Sequence, residues 1–233
     1  MYDVNKILGN IAHSDLGMNA HHLYRVASTI SNGIMVDLGV RCGNSSEIML
    51  IGSVDRNNKV YGVDVTFDDL RPDLHNAPNY NKILGDSSTV GKEWAGEKVD
   101  VLFVDTFHIK EQVMCELYYW YPHMKNSCWF VFHDSNWHPG KYDVYGGITW
   151  DRVEDGIMSF FKTSSLNEKT DVIDCYNFPE SWGMTFVHLK KKIDFPDMTK
   201  NWNEIISRRN HLMSLFWNKN NIGDRKIDLN LVP

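Results

Sequence analysis

Five carboxylates and two histidines stand just beyond short apolar runs, and as a group they could do chemistry that none could do alone. Asp37 closes the run Gly33-Ile34-Met35-Val36, and Asp64 follows Lys59-Val60-Tyr61-Gly62-Val63. Gly85-Asp86-Ser87 follows Asn81-Lys82-Ile83-Leu84. Asp105, with His108 beyond a short turn, follows Val99-Asp100-Val101-Leu102-Phe103-Val104. His133 and Asp134 follow Ser127-Cys128-Trp129-Phe130-Val131-Phe132. One loop acid is ordinarily a solvated turn residue or a helix cap. Their recurrence at one end of successive runs points to a site, because ligands of open α/β sheets bind outside the carboxyl ends of the strands. Asp105 and Asp134 could hold a divalent cation through two carboxylates, as Mg²⁺ prefers. His133 would be a poor ligand for Mg²⁺ but a reasonable one for Mn²⁺ or Fe²⁺. Either His133 or His108 could instead serve as a general base, since imidazole titrates near neutrality. A structural histidine bonded to the backbone is the plain alternative for both.

The turn after Asp37 narrows the ligand. Asp37-Leu38-Gly39-Val40-Arg41-Cys42-Gly43-Asn44-Ser45-Ser46 reads as a strand end, a tight turn and a helix start. Such an arrangement lets backbone N–H groups approach a nucleotide-like ligand. The glycines are spaced G-x-x-x-G, and Arg41 stands where a dinucleotide fingerprint has its second glycine. A long side chain there would collide with a pyrophosphate. Asp64 lies 25 residues beyond Gly39 and offers two acceptor oxygens to the hydroxyls of a ribose. Gly85-Asp86-Ser87 allows two readings: a ligand contact, or a capped helix start with Ser87 or Ser88 as N-cap.

These residues need a scaffold of short strands alternating with helices. Helical stretches are expected over 1–32, Ser46–Ile51, Ile109–Trp120 and Thr149–Phe161. Leu23, Val26, Ala27 and Ile30 fall at helical spacing, so the first stretch is expected to pack at a sheet edge. Alternating apolar strands and helices predict a doubly wound, mostly parallel sheet covered on both faces. Asp171–Tyr176 and Gly183–Leu189 read as a closing hairpin, which makes one strand antiparallel. Residues 136–150, with Trp137, His138, Tyr142, Tyr145 and Trp150, read as a loop over the strand ends. Its aromatic faces could stack on a sugar or another flat acceptor. Trp202, Ile205, Ile206, Met213 and Phe216 recur at helical spacing near the end of the chain. That helix is expected to dock on the parent domain; an active-site lid or a homo-oligomer contact is the alternative. The division expected is 1–32 as an N-terminal helical segment, 33–190 as an α/β domain and 191–233 as a C-terminal helical extension.

Bulk properties set the class. The chain has 233 residues, 42% hydrophobic and 23% charged, which suits one globular domain with a sizeable core. A net charge of -6 with no long basic block argues against nucleic acid as a partner. Cys42, Cys115, Cys128 and Cys175 are widely spaced and form no C-x-x-C pair, so reduced thiols in a cytoplasmic protein are expected. Met1-Tyr2-Asp3 opens with an acid, no apolar signal region follows, and no run is long enough to span a bilayer.

Asp37-Leu38-Gly39 with Gly43 resembles motif I of the class I S-adenosylmethionine-dependent methyltransferases, and Gly85-Asp86-Ser87 resembles the G-D-S element of small-molecule O-methyltransferases. Asp100–His108, Tyr118–Lys125 and Trp129–Ser135 together resemble the macrocin-type sugar O-methyltransferases and the cephalosporin-hydroxylase-like proteins, a likeness spanning roughly 20–190. The sequence departs from that pattern at Thr106-Phe107, where a small Gly-Asp pair is usual, and at Asn126-Ser127, where Gly-Gly is usual. The resemblance implies a seven-stranded sheet with an antiparallel closing strand. It implies cofactor binding by Asp37, Gly39, Gly43, Ser45, Asp64, Asp86, Ser87 and Asp105. A divalent cation, Mg²⁺ first and Mn²⁺ or Fe²⁺ next, would be held by Asp105, Asp134 and His133, with His133 or His108 as base. The expected reaction is methyl transfer to a hydroxyl of a small, carbohydrate-containing molecule. The alternatives are a metal-independent N-methyltransferase, a nicotinamide-dependent oxidoreductase, and a non-catalytic binding subunit on the same fold.

Overall fold

The computed structural model describes residues 3–136, 152–194 and 201–220. Two short helices, α1 (Val4–Ile11) and α2 (Asn19–Ala27), precede β1 (Ile34–Leu38). Then come α3 (Asn44–Gly52), β2 (Lys59–Asp64), β3 (Tyr80–Leu84), α4 (Ser87–Glu93), β4 (Val99–Val104) and α5 (Lys110–Trp120). A 3₁₀ turn, Tyr121–His123, leads into β5 (Met124–His133). The chain closes with α6 (Val153–Phe161), β6 (Ile173–Phe178), β7 (Met184–Leu189) and α7 (Trp202–Asn220).

The strands form one seven-stranded sheet in the order β3-β2-β1-β4-β5-β7-β6. All neighbours from β3 to β5 pair parallel, while β7 runs antiparallel to both β5 and β6. Strand β1 is buried at every position, as a central strand covered on both faces must be. Strand order reverses between β1 and β4, so the crevice at their carboxyl ends is the place where this topology receives a ligand.

Side chains alternate between two apolar layers. Val36, Leu38, Leu102, Val104, Phe130 and Phe132 face α5 and α6, in the same cluster as Trp202 of α7. Met35, Val101, Phe103 and Val131 face the other way, in a cluster with residues of α1, α2 and α3. The N-terminal helices therefore cover a face of the sheet and not its edge. Gly52 makes this possible: a Cβ there would lie 2.7 Å from the Cβ of Ala27, so α2 and α3 cross at close range. At the other end of the chain, Trp202 anchors α7 to α5, its ring 4.1 Å from that of Tyr118 and 5.7 Å from that of Tyr119. Residues 137–151, with Trp137, His138, Tyr142, Tyr145 and Trp150, lie outside the described residues, as does the side chain of Phe216.

Candidate active site

Two adjoining cavities open at the carboxyl ends of the strands. The first, about 230 Å³, lies between the β1–α3 loop, Asp64, the Gly85-Asp86-Ser87 turn, Asp105–Phe107 and two helical residues, Gln112 and Met213. The second, about 390 Å³, is walled by Asp15, Arg41, Asp105, His108, His133, Asp134 and Trp182. Gly39, Arg41, Asp105 and Thr106 line both.

The β1–α3 loop is braced from beneath. Asp37 is fully buried and accepts hydrogen bonds from Ser45 Oγ at 2.8 Å and Ser46 Oγ at 2.5 Å. Burial pushes its carboxyl up to about 7, against the pull of the two serine hydroxyls. Gly39 turns the chain with φ +85, and a Cβ there would sit 1.9 Å from the carbonyl oxygen of Asp105. Gly43 has φ +91 at the N-cap of α3, and a Cβ on it would strike Leu74 at 2.3 Å. Of the four residues expected from this loop to touch a cofactor, Gly39 alone lines the cavity. Asp37, Gly43 and Ser45 shape the loop from behind, because Asp37 spends its oxygen on the serines and Gly43 faces the leucines.

Asp64 stands ready at the wall. Its Oδ2 accepts from the backbone N–H of Arg41 at 2.9 Å and its Oδ1 from that of Thr66 at 3.1 Å. Arg41 itself adopts φ +50 and sends its side chain outward to Asp15 at 3.0 Å. Asp86 proves to be the N-cap of α4, in place of Ser87 or Ser88: its Oδ1 accepts from the N–H groups of Ser88 and Thr89. Its Oδ2 accepts from Arg209 Nη2 of α7 at 2.6 Å. Ser87 donates to the buried carboxylate of Glu116, which also accepts from Thr106 Oγ1 and Gln112 Nε2, each at 2.7 Å. Burial raises Glu116 to about 7 despite these donors.

In the second cavity the groups meet in an order the sequence did not predict. His108 Nε2 lies 3.2 Å from Asp105 Oδ1 and 3.0 Å from Asp134 Oδ2. One ligand atom each from Asp105, His108 and Asp134 fall within 4.8 Å of one another. His133 was the expected third member; it sits behind, buried, with Nδ1 3.3 Å from Asp105 Oδ1 and 3.4 Å from Asp134 Oδ1. Those are ion-pair distances, but neither ring nitrogen makes an aligned hydrogen bond among the described residues. The Asp134 carboxylate lies between the two histidines, Oδ2 towards His108 and Oδ1 towards His133, and of the two rings His108 is the more exposed. Burial alone would discharge these histidines. The two carboxylates outweigh it, raising His108 and holding His133 at about 9. Burial likewise opposes the charge on Asp105, yet His133 and His108 hold its carboxyl well below the usual range, while burial wins at Asp134 and raises it.

The donor set fits a divalent cation. Two carboxylates and one imidazole are a mixed hard and borderline set, suited to Mn²⁺ or Fe²⁺ and compatible with Mg²⁺. Their close approach to one another is also explained by ion pairing with protonated histidine, so the geometry admits either state. Sequence reasoning passed over Gln112, Glu116, Arg209, Asp15 and Trp182. A signal existed for Arg209: it falls seven residues after Trp202, on the same face of an amphipathic helix. For Trp182 no periodicity could have served, since it sits in the β6–β7 turn with φ +66.

Comparison with known proteins agrees with this geometry. Residues 36–135 match a family described as a methyltransferase domain. Among solved structures, the chain is similar to the O-methyltransferase from Bacillus cereus in complex with S-adenosylhomocysteine, at 14% identity over 80% of this chain and 90% of that one, with a TM-score of 0.56. It is similar to the S-adenosylhomocysteine-bound methyltransferase PaMTH1 of Podospora anserina, at 11% identity over 82% and 89%, TM-score 0.53. It also resembles MycE, the methyltransferase of the mycinamycin biosynthetic pathway, in complex with Mg and S-adenosylhomocysteine. There the identity is 15% over 89% of this chain and 60% of that one, with a TM-score of 0.57. No curated protein sequence matches the chain. Sheet order, closing strand and these structural likenesses together show the fold of the class I S-adenosylmethionine-dependent methyltransferases. The matched segment carries the β1–α3 loop, Asp64, Asp86, Asp105, His108 and Asp134.

Proposed function

We propose that this enzyme transfers the methyl of S-adenosylmethionine to a hydroxyl of a small, carbohydrate-containing acceptor, with a divalent cation held by Asp105, His108 and Asp134. The observation that carries the reading is the position of Asp105, which lines both cavities. The first cavity would take the cofactor, with Asp64 at the ribose hydroxyls, Gly39 under the methionine part and the Gly85-Asp86-Ser87 turn at the base. When bound, S-adenosylmethionine supplies a sulfonium methyl that is already activated. A divalent cation, when bound, lowers the pKa of an alcohol and orients its oxygen. Asp105 and Asp134 would fix the acceptor end of the second cavity, and His133, behind them, would take the hydroxyl proton once a cation on the two carboxylates offsets the charge that keeps it protonated. Trp182, 55% exposed on the cavity wall, offers a flat face suited to a sugar ring.

Arg41 is the feature that disfavours a nicotinamide cofactor, because it stands where a dinucleotide-binding loop needs its second glycine for close approach of the pyrophosphate. A metal-independent N-methyltransferase would leave the carboxylate–histidine cluster without a task. Free and mostly buried cysteines support a reducing, cytoplasmic setting, and no helix among the described residues is long and apolar enough to cross a membrane. We retain the division into an N-terminal helical segment, a methyltransferase domain and a C-terminal extension, with both flanking segments docked on the sheet layers.

The test is methyl transfer from labelled S-adenosylmethionine to a panel of sugars and glycosides, with and without chelator. Asp134→Asn leaves the first cavity untouched. It is expected to keep S-adenosylhomocysteine affinity while losing at least about tenfold in turnover, as loss of a metal-site group does. Turnover that survives both chelator and Asp134→Asn would remove the cation from the proposal.

A further inference from the structure

The C-terminal helix takes part in the cofactor cavity through a buried ion pair. Arg209 is fully buried, and Asp86 is 4% exposed. Arg209 Nη2 donates to Asp86 Oδ2 and its Nε to Gln112 Oε1, both at 2.6 Å. Asp86 and Gln112 each line the cavity assigned to the cofactor. One helical turn further along, Met213 lines it too. From Gln112 the network runs on to Ser87 at 3.1 Å and Glu116 at 2.7 Å, and from Glu116 to Thr106. Ser87 and Thr106 are again cavity residues. One face of α7 is thus joined by hydrogen bonds to both walls of that cavity.

Removing one member of a buried, hydrogen-bonded ion pair leaves an uncompensated charge, which the protein relieves by moving the partner or admitting water. Here the partner is the cap of α4. Asp86 Oδ1 holds the N–H groups of Ser88 and Thr89, and Oδ2 holds Arg209. Arg209 therefore fixes the rotamer of the residue that sets where α4 begins, and with it the position of Gly85-Asp86-Ser87. The N-terminal anchor of α7 is separate: Trp202 packs on Tyr118 and Tyr119, none of which lines either cavity.

We propose that Arg209 is a positioning residue for the cofactor and that docking of α7 and occupancy of the first cavity reinforce each other. This rests on that cavity being the S-adenosylmethionine site. Thermodynamic linkage makes the coupling reciprocal. A cofactor that binds the docked form better steadies α7, and an α7 that has lost its bond to Asp86 weakens the cofactor beyond what general loosening of the helix does.

The experiment combines S-adenosylhomocysteine calorimetry with amide hydrogen exchange along α7 in the full chain. In the wild type, saturating ligand is expected to slow exchange in α7 at least about fivefold, the lower end of ordinary coupling. Arg209→Met, which keeps the stem but not the guanidinium, is expected to weaken the ligand by a factor of about 5 to 150. Trp202→Phe is the control, since it loosens α7 from the far anchor without touching Asp86. If the role of Arg209 were purely structural, Arg209→Met and Trp202→Phe would change affinity alike once matched for loss of thermal stability. Equal affinities in that comparison, or α7 exchange indifferent to ligand in the wild type, would overturn the proposal. Should Arg209→Met fail to fold, the wild-type exchange experiment and Met213→Ala still decide it. A wild type that does not bind S-adenosylhomocysteine at all would instead strike down the cofactor assignment itself.

Discussion

Protonation of Asp37 bears directly on folding. The residue is wholly enclosed beneath the β1–α3 loop, with its carboxyl raised to about 7 from an ordinary value of 3.8. A raised acid contributes its full stability below the unfolded-state value and loses it as pH climbs through the folded value. Between about pH 4 and pH 7 the native state thus holds one more proton than the unfolded chain, and this group alone lowers stability by about 1.4 kcal/mol per pH unit. Asn at this position can still accept from Ser45 and Ser46 while carrying no charge. Urea unfolding from pH 4 to pH 7 is expected to show a steeper fall in the wild type than in Asp37→Asn. Parallel curves would mean that the carboxylate is stabilised by something not seen among its neighbours. The same scale decides the ligand set of the second cavity. Mn²⁺ titration followed by electron paramagnetic resonance is expected to show binding weakened at least about tenfold in His108→Ala, as for loss of a ligand or its close support. His133→Gln is expected to change it less. The reverse order would restore His133 as the ligand. What the sequence could not say about this pair lies in their burial. His108 and His133 both follow a strand and both stand near an acid, and the difference in burial that separates them, 31% exposed against 2%, carries no compositional sign.

Among the elements, the β1–α3 loop has the least freedom. Gly39 combines a positive φ with a carbonyl oxygen 1.9 Å from where a Cβ would stand, so both strain and collision oppose any side chain. Gly39→Ala is expected to cost about 2 kcal/mol or more in stability and to abolish S-adenosylhomocysteine binding. Gly9, in α1, offers the contrast: nothing lies within 4 Å of its would-be Cβ, and it sits inside a helix. Gly9→Ala is expected to stabilise by about 0.5–1 kcal/mol with binding unchanged. Thermal unfolding of the two variants measures both. Strands β1 to β5 were legible because each is a short run that stops at or just before an acid or a glycine, and observed bounds depart from expectation by a few residues at most, as at β5, which starts at Met124 and not Ser127. The placement of α2 was not legible. Its apolar stripe says that it packs, but only the bare Cα of Gly52, a partner distant in sequence, says against what.

For the molecule as a whole, two neighbouring cavities stand at a topological switch point, one proposed for the cofactor and one lined by acids and histidines, with Asp105 common to both. The carboxylates at the strand ends were readable in order from the sequence. Their convergence follows from parallel strands alone, which deliver every carboxyl end to one edge. The contribution of α7 was not readable, because an arginine in an amphipathic stripe finds its partner through tertiary packing, here Asp86, 123 residues away in the chain. The measurement that bears most directly on this account is calorimetric titration of the intact protein with S-adenosylhomocysteine, with NADH as control and Asp64→Ala beside the wild type. Micromolar binding of S-adenosylhomocysteine alone, lost when Asp64 is replaced, is the expected result. Binding of NADH in its place, or S-adenosylhomocysteine binding indifferent to Asp64, would contradict the account.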